Sequence, residues 1–274
     1  MGRVNLYPAR AEEGAPVDAA DRARRTQYEA AKWSSYFEEA LQDRGQEHDK
    51  SLWWRVSDLD SLAIARACLR NLAAPAICEP ACGSGGTSIL LAEMVGARDL
   101  TLVDISPSAL SFARSLLPES LAGVTHLLEG DAFRLPLEDD RFDLTWNVGV
   151  IEHYPQSQIL DLVREMRRVT RPGGAVLVAI PNRRSIATLK AALLGSHFGR
   201  RWLPRASGYR FDTEILYSAN ALAHLFEHTF GRPVAVRFAG NPLWVTAPEP
   251  LVRATQRLWP RSPFSFLAFL IFFK

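Results

Sequence analysis

The chain has 274 residues and a formal net charge of +2. That is long enough for one large domain with a substantial core and too weakly basic to imply nucleic acid on charge alone. Its three cysteines, Cys68, Cys78 and Cys82, are too few and odd in number for a disulfide framework. No His/Cys cluster accompanies them, so no metal site is expected.

Residues 1–25 lack the apolar stretch of a secretory leader, and Leu6 breaks the myristoylation pattern that Met1-Gly2 would begin. Their Ala, Glu, Asp, Arg and Pro content reads as a disordered lead-in. The expected location is cytoplasmic, with peripheral membrane contact left open. Helical apolar spacing follows over 30–41 and 59–72, where Ile64, Ala67, Cys68 and Leu72 recur at threes and fours. Residues 26–72 are therefore expected as an N-terminal helical cap on a domain spanning 73–274.

From Ala76 the pattern becomes strand, turn, helix, repeated. Strands are expected at 76–79, 100–103, 124–128, 142–150 and 175–180. Helices are expected at 87–95, 106–116 and 156–169, with Ser106 as an N-cap and Arg171-Pro172-Gly173-Gly174 as the stop of the third. Such alternation builds crossover units and a mostly parallel sheet covered by helices on both faces, an α/β fold. A helix over 219–230 and a strand over 234–238 follow. Residues 182–213 and 240–263 read as irregular insertions. Ser262 to Phe273 carries no charge and five phenylalanines. At about twelve residues it is short of the roughly twenty of a spanning helix, and 265–273 reads as a last strand.

Three features close three successive strands, the edge where open parallel sheets bind ligands. The first is the turn Glu79-Pro80-Ala81-Cys82-Gly83-Ser84-Gly85-Gly86, whose glycines allow a tight bend and close backbone approach. The second is Asp104, able to accept from two ribose hydroxyls, or alternatively an acid favoured by the following helix N-terminus. The third is Asp131 in Gly130-Asp131-Ala132, able to accept from an adenine amino group, or alternatively an ordinary turn aspartate. Their order points to an adenosine-containing cofactor. Glu79 would repel a pyrophosphate and attract a sulfonium or ammonium, which separates S-adenosylmethionine (SAM) from NAD.

Residues 77–180 resemble the class I SAM-dependent methyltransferase core, most closely the type 11 (ubiquinone/menaquinone-like) small-molecule group. The resemblance rests on Ile77 to Gly85, Leu102-Val103-Asp104-Ile105-Ser106, Gly130-Asp131-Ala132, Phe142-Asp143-Leu144 through Gly149-Val150-Ile151-Glu152-His153, and Arg171 to Gly174. It implies a Rossmann-like seven-stranded sheet with the last strand antiparallel and internal. It also implies SAM held by Glu79, Ala81, Cys82, Gly83, Gly85, Asp104, Ile105, Asp131, Ala132, Asn147, Val148 and Glu152. Ala81 stands where the family usually has glycine, and its methyl fits if the backbone keeps a negative φ.

Methyl transfer from SAM is an in-line displacement that needs alignment and exclusion of water. A hydroxyl nucleophile also needs a base. His153 is the candidate base; the alternative is that it packs against its loop. Trp33, Tyr36, Arg183 and Arg184 are candidate substrate contacts. The 182–213 insertion carries Arg183, Arg184, Lys190, Arg200, Arg201, Arg205 and Arg210 against Asp212, interleaved with Leu193, Leu194, Phe198 and Trp202. That pattern is a solvated face or an attraction to an anionic substrate or membrane surface. The expected reaction is methylation of an O, N or C centre of a lipid, quinone or secondary metabolite. RNA methylation and non-catalytic SAM binding are the alternatives; strand four ends in Asn147-Val148-Gly149, not the Asn-Pro-Pro-aromatic run that resembles exocyclic-amine methylators.

Overall fold

The computed structural model describes residues 19–42, 52–196, 201, 214–241, 248–258 and 262–274. The strands are β1 (Ala76–Pro80), β2 (Asp99–Asp104), β3 (Thr125–Glu129), β4 (Phe142–Val148), β5 (Thr170–Pro181), β6 (Ala235–Ala239) and β7 (Leu267–Phe273). They form one sheet in the order β3-β2-β1-β4-β5-β7-β6. The pairs among β1 to β5 are parallel. β7 runs antiparallel between β5 and β6. This is the sheet the resemblance implies.

β7 explains the phenylalanine-rich terminus. Phe269 and Ile271 join one core and Leu270 and Phe272 the other, so both faces of the strand exclude water and neither alternates with polar residues. β5 divides the same way, with Leu177 and Ala179 facing one layer and Val178 and Ile180 the other. No helix among the described residues is long and apolar enough to cross a membrane.

The helices are α1 (Ala19–Gln42), α2 (Leu52–Cys68), α3 (Gly86–Val95), α4 (Pro107–Leu116), α5 (Gln156–Val169), α6 (Ile186–Gly195), α7 (Ala219–Phe230) and α8 (Glu249–Leu258). Ser106 caps α4 as expected, its hydroxyl accepting from the Ala109 amide at 3.2 Å. α5 buries Ile159, Leu162, Val163 and Met166 against β5 and β7, the stripe its apolar spacing specifies.

Several expectations need correction. α1 begins at Ala19, inside the segment read as disordered; residues 1–18 lie outside the described residues. Its charged residues are engaged, with Arg22 bridging Asp161 at 3.2 Å. α2 is part of the sandwich and not a cap: Leu62, Ala65 and Leu69 lie in the same core as β1 and β4. β4 ends at Val148, and Ile151–His153 is a single 3-10 turn. α5 stops before Arg171, and β5 already begins at Thr170. Gly173, at φ 77°, belongs to a bulge that shifts the β4–β5 register between Phe142 and Leu144. The insertions read as irregular hold α6 and α8. Residues 197–200, 202–213, 242–247 and 259–261 lie outside the described residues, and with them Phe198, Arg200, Trp202, Arg205 and Arg210.

Candidate active site

The carboxyl ends of β1, β2 and β4 form one edge of the sheet, and each delivers a turn. After β1 the chain bends sharply, with Ala81 at φ 51°, Gly83 at φ 53° and Gly85 at φ 60°. Ala81 therefore adopts the left-handed conformation, contrary to the negative φ expected of it. That conformation costs a Cβ-bearing residue roughly 1–2 kcal/mol. Gly85 cannot vary, because a Cβ there would lie 2.6 Å from Cδ1 of buried Leu102.

Asp104, closing β2, is buried and holds this turn. Its Oδ2 accepts from the Gly83 amide at 2.8 Å and its Oδ1 from the Ser106 amide at 2.9 Å. Burial raises its pKa, and the amides of Ser106, Gly83 and Ile105 pull it back. A carboxylate has about four acceptor positions, so these three amides leave about one for a ligand. Asp104 thus sits at the start of α4 through the Ser106 amide and also braces the turn through the Gly83 amide.

A cleft opens beside it, lined by Ala81, Ile105, Gly130, Asp131, Ala132 and Val150, with Thr26, Phe133, Tyr154 and Leu162 completing the wall. The geometry thus brings Ala81, Ile105, Asp131 and Ala132 together. Asp131 is oriented by the Phe133 amide, which donates to its Oδ1 at 2.9 Å. Phe133 and Tyr154 meet edge to face at 4.8 Å. Sequence reasoning missed these two rings and Thr26. Thr26 arrives from α1 and leaves no local signal, whereas Phe133 and Tyr154 directly follow motifs already singled out.

Beneath the turn lie acceptor atoms without partners. Glu79 is buried in β1, and desolvation pushes its pKa to about 8 against the Ser88 hydroxyl that stabilises its charge. That hydroxyl is itself fixed by Trp146, whose Nε1–H donates to it at 2.6 Å. Oε2 of Glu79 makes no hydrogen bond. Asn147 donates to the Pro80 carbonyl at 2.6 Å, and its Oδ1 is also left unsatisfied. Buried polar atoms normally find partners, so a pair of orphans at a sheet edge marks a place for a donor or a cation. Cys82 is buried in the turn with its thiol toward the Gly83 carbonyl at 3.6 Å. Val148 closes β4 half-buried.

Glu152 and His153, both buried, occupy the 3-10 turn after β4. The Glu152 carbonyl accepts from the Ile215 amide at 2.7 Å. Burial, then Glu214 and Glu29, raise its carboxyl to about 8. His153 faces α1. Nδ1 lies 3.7 Å from Oε1 of Glu29, Trp33 sits edge-on with ring centres 6.3 Å apart, and Arg25 donates to the His153 carbonyl at 2.7 Å. Burial lowers the imidazole pKa, opposed by Glu29 and Glu214 and assisted by Lys32 and Arg25.

α1 therefore lies across the site. Phe37 packs over Gly83, its Cζ 3.3 Å from where a Cβ would be, and the Ser34 hydroxyl donates to that of Ser106 at 2.8 Å. Trp33 is committed to His153 and Tyr36, while Tyr36 is itself partly exposed. Arg183 and Arg184 stand exposed ahead of α6. The four substrate candidates thus divide between α1 and the start of α6.

Residues 77–174 match the family model described as a methyltransferase domain. Among curated proteins, the chain is 32% identical over 118 residues to the chloroplastic tocopherol O-methyltransferase of Arabidopsis thaliana, covering 43% of this chain and 33% of that one. It is 31% identical over 147 residues to the ubiquinone biosynthesis O-methyltransferase of Azorhizobium caulinodans, covering 54% and 55%. It is 34% identical over 97 residues to the demethylmenaquinone methyltransferase of Bacillus velezensis, covering 35% and 41%. The matches span between a third and a little over half of these relatives. Among solved structures, magnesium protoporphyrin IX methyltransferase from Synechocystis PCC 6803 superposes with a TM-score of 0.59 at 13% identity, covering 91% of this chain and 99% of that one. A SAM-dependent methyltransferase from Aquifex aeolicus gives 0.55 at 13% identity, covering 87% and 97%. At such identities the likeness is one of fold.

Proposed function

We propose that the chain, whose residues 77–174 match a methyltransferase domain, is a class I SAM-dependent methyltransferase of the type 11 group that transfers a methyl group from SAM to an O, N or C nucleophile of a small molecule, releasing S-adenosylhomocysteine. The observation that carries this reading is the cleft between Ala81, Ile105, Asp131 and Ala132 at the carboxyl edge of the sheet, together with buried, unsatisfied acceptors. Oε2 of Glu79 and Oδ1 of Asn147 suit an ammonium and a sulfonium and oppose a pyrophosphate.

In this reading Asp104 accepts from the ribose hydroxyls. Asp131, Ala132 and Ile105 hold the adenine, and Glu79, Asn147 and Glu152 hold the methionine end. Ala81, Cys82, Gly83, Gly85 and Val148 supply the close backbone. When bound, SAM supplies a methyl group on a sulfonium, already activated. The protein's part is to align the acceptor and keep water out. Phe37 over Gly83 and Trp33 against His153 support that second part.

For a hydroxyl acceptor we place the base at His153. Its burial favours the neutral imidazole. Glu29 beside Nδ1 favours the tautomer that leaves Nε2 to take the proton. Trp33 and Tyr36 from α1, with Arg183 and Arg184 near α6, would bound the acceptor. Residues 26–42 would act as the cap, and the catalytic domain would take in α2 together with 73–274.

The substrate class is a lipid, quinone or other apolar metabolite, anionic in part. The tocopherol, ubiquinone and menaquinone enzymes among the relatives support it, as do the exposed Leu189 and Leu193 of α6. Cytoplasmic residence with peripheral membrane contact fits the same class. Titration calorimetry with SAM, S-adenosylhomocysteine and NAD tests the cofactor reading. Binding of the first two and not the third is expected, with loss in Asp104→Ala. Binding of NAD alone would defeat it.

A further inference from the structure

α6 is anomalous for a surface helix. One side is packed, with Ala187, Thr188, Ala191 and Leu194 buried. The opposite side should be polar. Instead Ile186, Leu189 and Leu193 stand 39%, 58% and 49% exposed, in one row at spacings of three and four. Phe264, 53% exposed, lies beside the start of this row. The Asn182 side chain donates to the carbonyls on either side of it, Pro263 and Ser265, at 2.8 Å each.

The charge around this apolar row has one sign. Arg183 and Arg184 precede it, both exposed, and Lys190 sits within it. From Asn182 to Arg210 the sequence contains no Asp or Glu. A solvated face would mix both signs. An apolar row with Arg183, Arg184 and Lys190 beside it among the described residues matches an anionic bilayer, where acyl chains take the leucines and headgroup phosphates take the cations. β5 ends at Pro181, so Arg183 and Arg184 stand at the carboxyl edge of the sheet, the edge that carries the cofactor turn.

We propose that the exposed row of α6, with Phe264 and the cations Arg183, Arg184 and Lys190, is a docking surface for anionic membrane lipid that sets the site's mouth at the bilayer. The proposal shares the apolar-substrate reading of the site, but the docking itself needs no methyl transfer, so each can fail alone.

The test is co-sedimentation of the full chain with phosphatidylglycerol-rich vesicles and with phosphatidylcholine vesicles, alongside SAM titration as a check of folding. Binding to the anionic vesicles, weakened by salt and lost in Leu189→Asp/Leu193→Asp, is expected. Arg183→Glu/Arg184→Glu should weaken it at least tenfold, because each cation near such a surface contributes about fivefold. The aspartate variant should still bind SAM, since Leu189 and Leu193 are exposed and outside the site, and the glutamate variant should keep the wild-type thermal midpoint. Equal partition to phosphatidylcholine, no partition at all, or unchanged binding by the aspartate variant would overturn it. So would light scattering that shows a wild-type dimer made monomeric by the aspartates, because a second copy would then be what covers the face.

Discussion

Nδ1 of His153 lies 3.7 Å from Oε1 of Glu29, and both side chains are almost wholly buried. The distance is that of an ion pair and longer than a hydrogen bond. Neither Glu29 oxygen makes a hydrogen bond, so the carboxylate's position is set by the docking of α1. Glu29 acts through His153, as a positioning residue.

Glu29→Gln should therefore lower the imidazole pKa of His153 further below the ordinary value. Burial already lowers it, and Glu29 is the first group opposing that shift. Lys32 and Arg25 from α1 push the same way as burial. Glu214, ahead of α7, would be the remaining acid that raises it. NMR titration of the imidazole reads this without a substrate, and an unchanged pKa would count against the pairing. With a substrate in hand, the acidic limb of the kcat profile should move to lower pH, and kcat should fall on the order of tenfold. His153→Gln should cost roughly a hundredfold or more if the imidazole is the base.

Glu79 links proton release to cofactor binding. With its pKa near 8, the free protein holds this carboxyl mostly neutral at neutral pH. A cation placed against it favours the ionised form, so binding should release protons. Calorimetry of SAM binding in buffers of different ionisation enthalpy should show that release near neutral pH, and Glu79→Gln should reduce it. Absence of the difference would place the ammonium elsewhere.

The same group bears on stability. Its folded pKa lies above the unfolded value near 4.5, so the folded state binds the extra proton. Its contribution is present below the unfolded value and is lost as pH rises from there through about 8. Glu152, also near 8, adds in the same direction. Denaturant midpoints of the cofactor-free protein should fall between mildly acidic pH and pH near 8, and the fall should be shallower in Glu79→Gln.

Ala81 and Gly85 give opposite expectations in one turn. Ala81 sits at φ 51°, so Ala81→Gly should stabilise the fold by about 1 kcal/mol through relief of the left-handed conformation. Gly85 sits at φ 60° with Leu102 2.6 Å from a would-be Cβ. Gly85→Ala should destabilise by about 3 kcal/mol from backbone strain and overpacking together. Urea unfolding of the two variants reads both signs.

The parallel core was legible because β1, β2, β4 and most of β5 are buried on both faces and each turn carries its own chemistry. Asp104, Asp131 and the glycine turn could be ordered from the chain alone. α6 was hidden because apolar residues on its two sides, such as Leu189 and Leu194, erase the single-face period a helix usually shows. α8 was hidden because Pro250 interrupts the pattern at its start, although proline suits a first helical turn. The start of α1 was hidden because its charges read as disorder until Arg22 and Arg25 are seen bound to Asp161 and the His153 carbonyl. Thr26, Glu29 and Phe37 reach the site only through the docking of α1, and no local pattern encodes that. The left-handed Ala81 illustrates a further limit, since the sequence identifies a residue and the turn decides its conformation.

The most direct measurement is transfer of labelled methyl from SAM into a cell extract by the purified protein, followed by partition between organic and aqueous phases. Label in an organic-soluble small molecule, lost with Asp104→Ala, is the result expected. Label in RNA or protein would contradict the substrate class, and SAM binding with no transfer to any fraction would contradict the enzymatic reading.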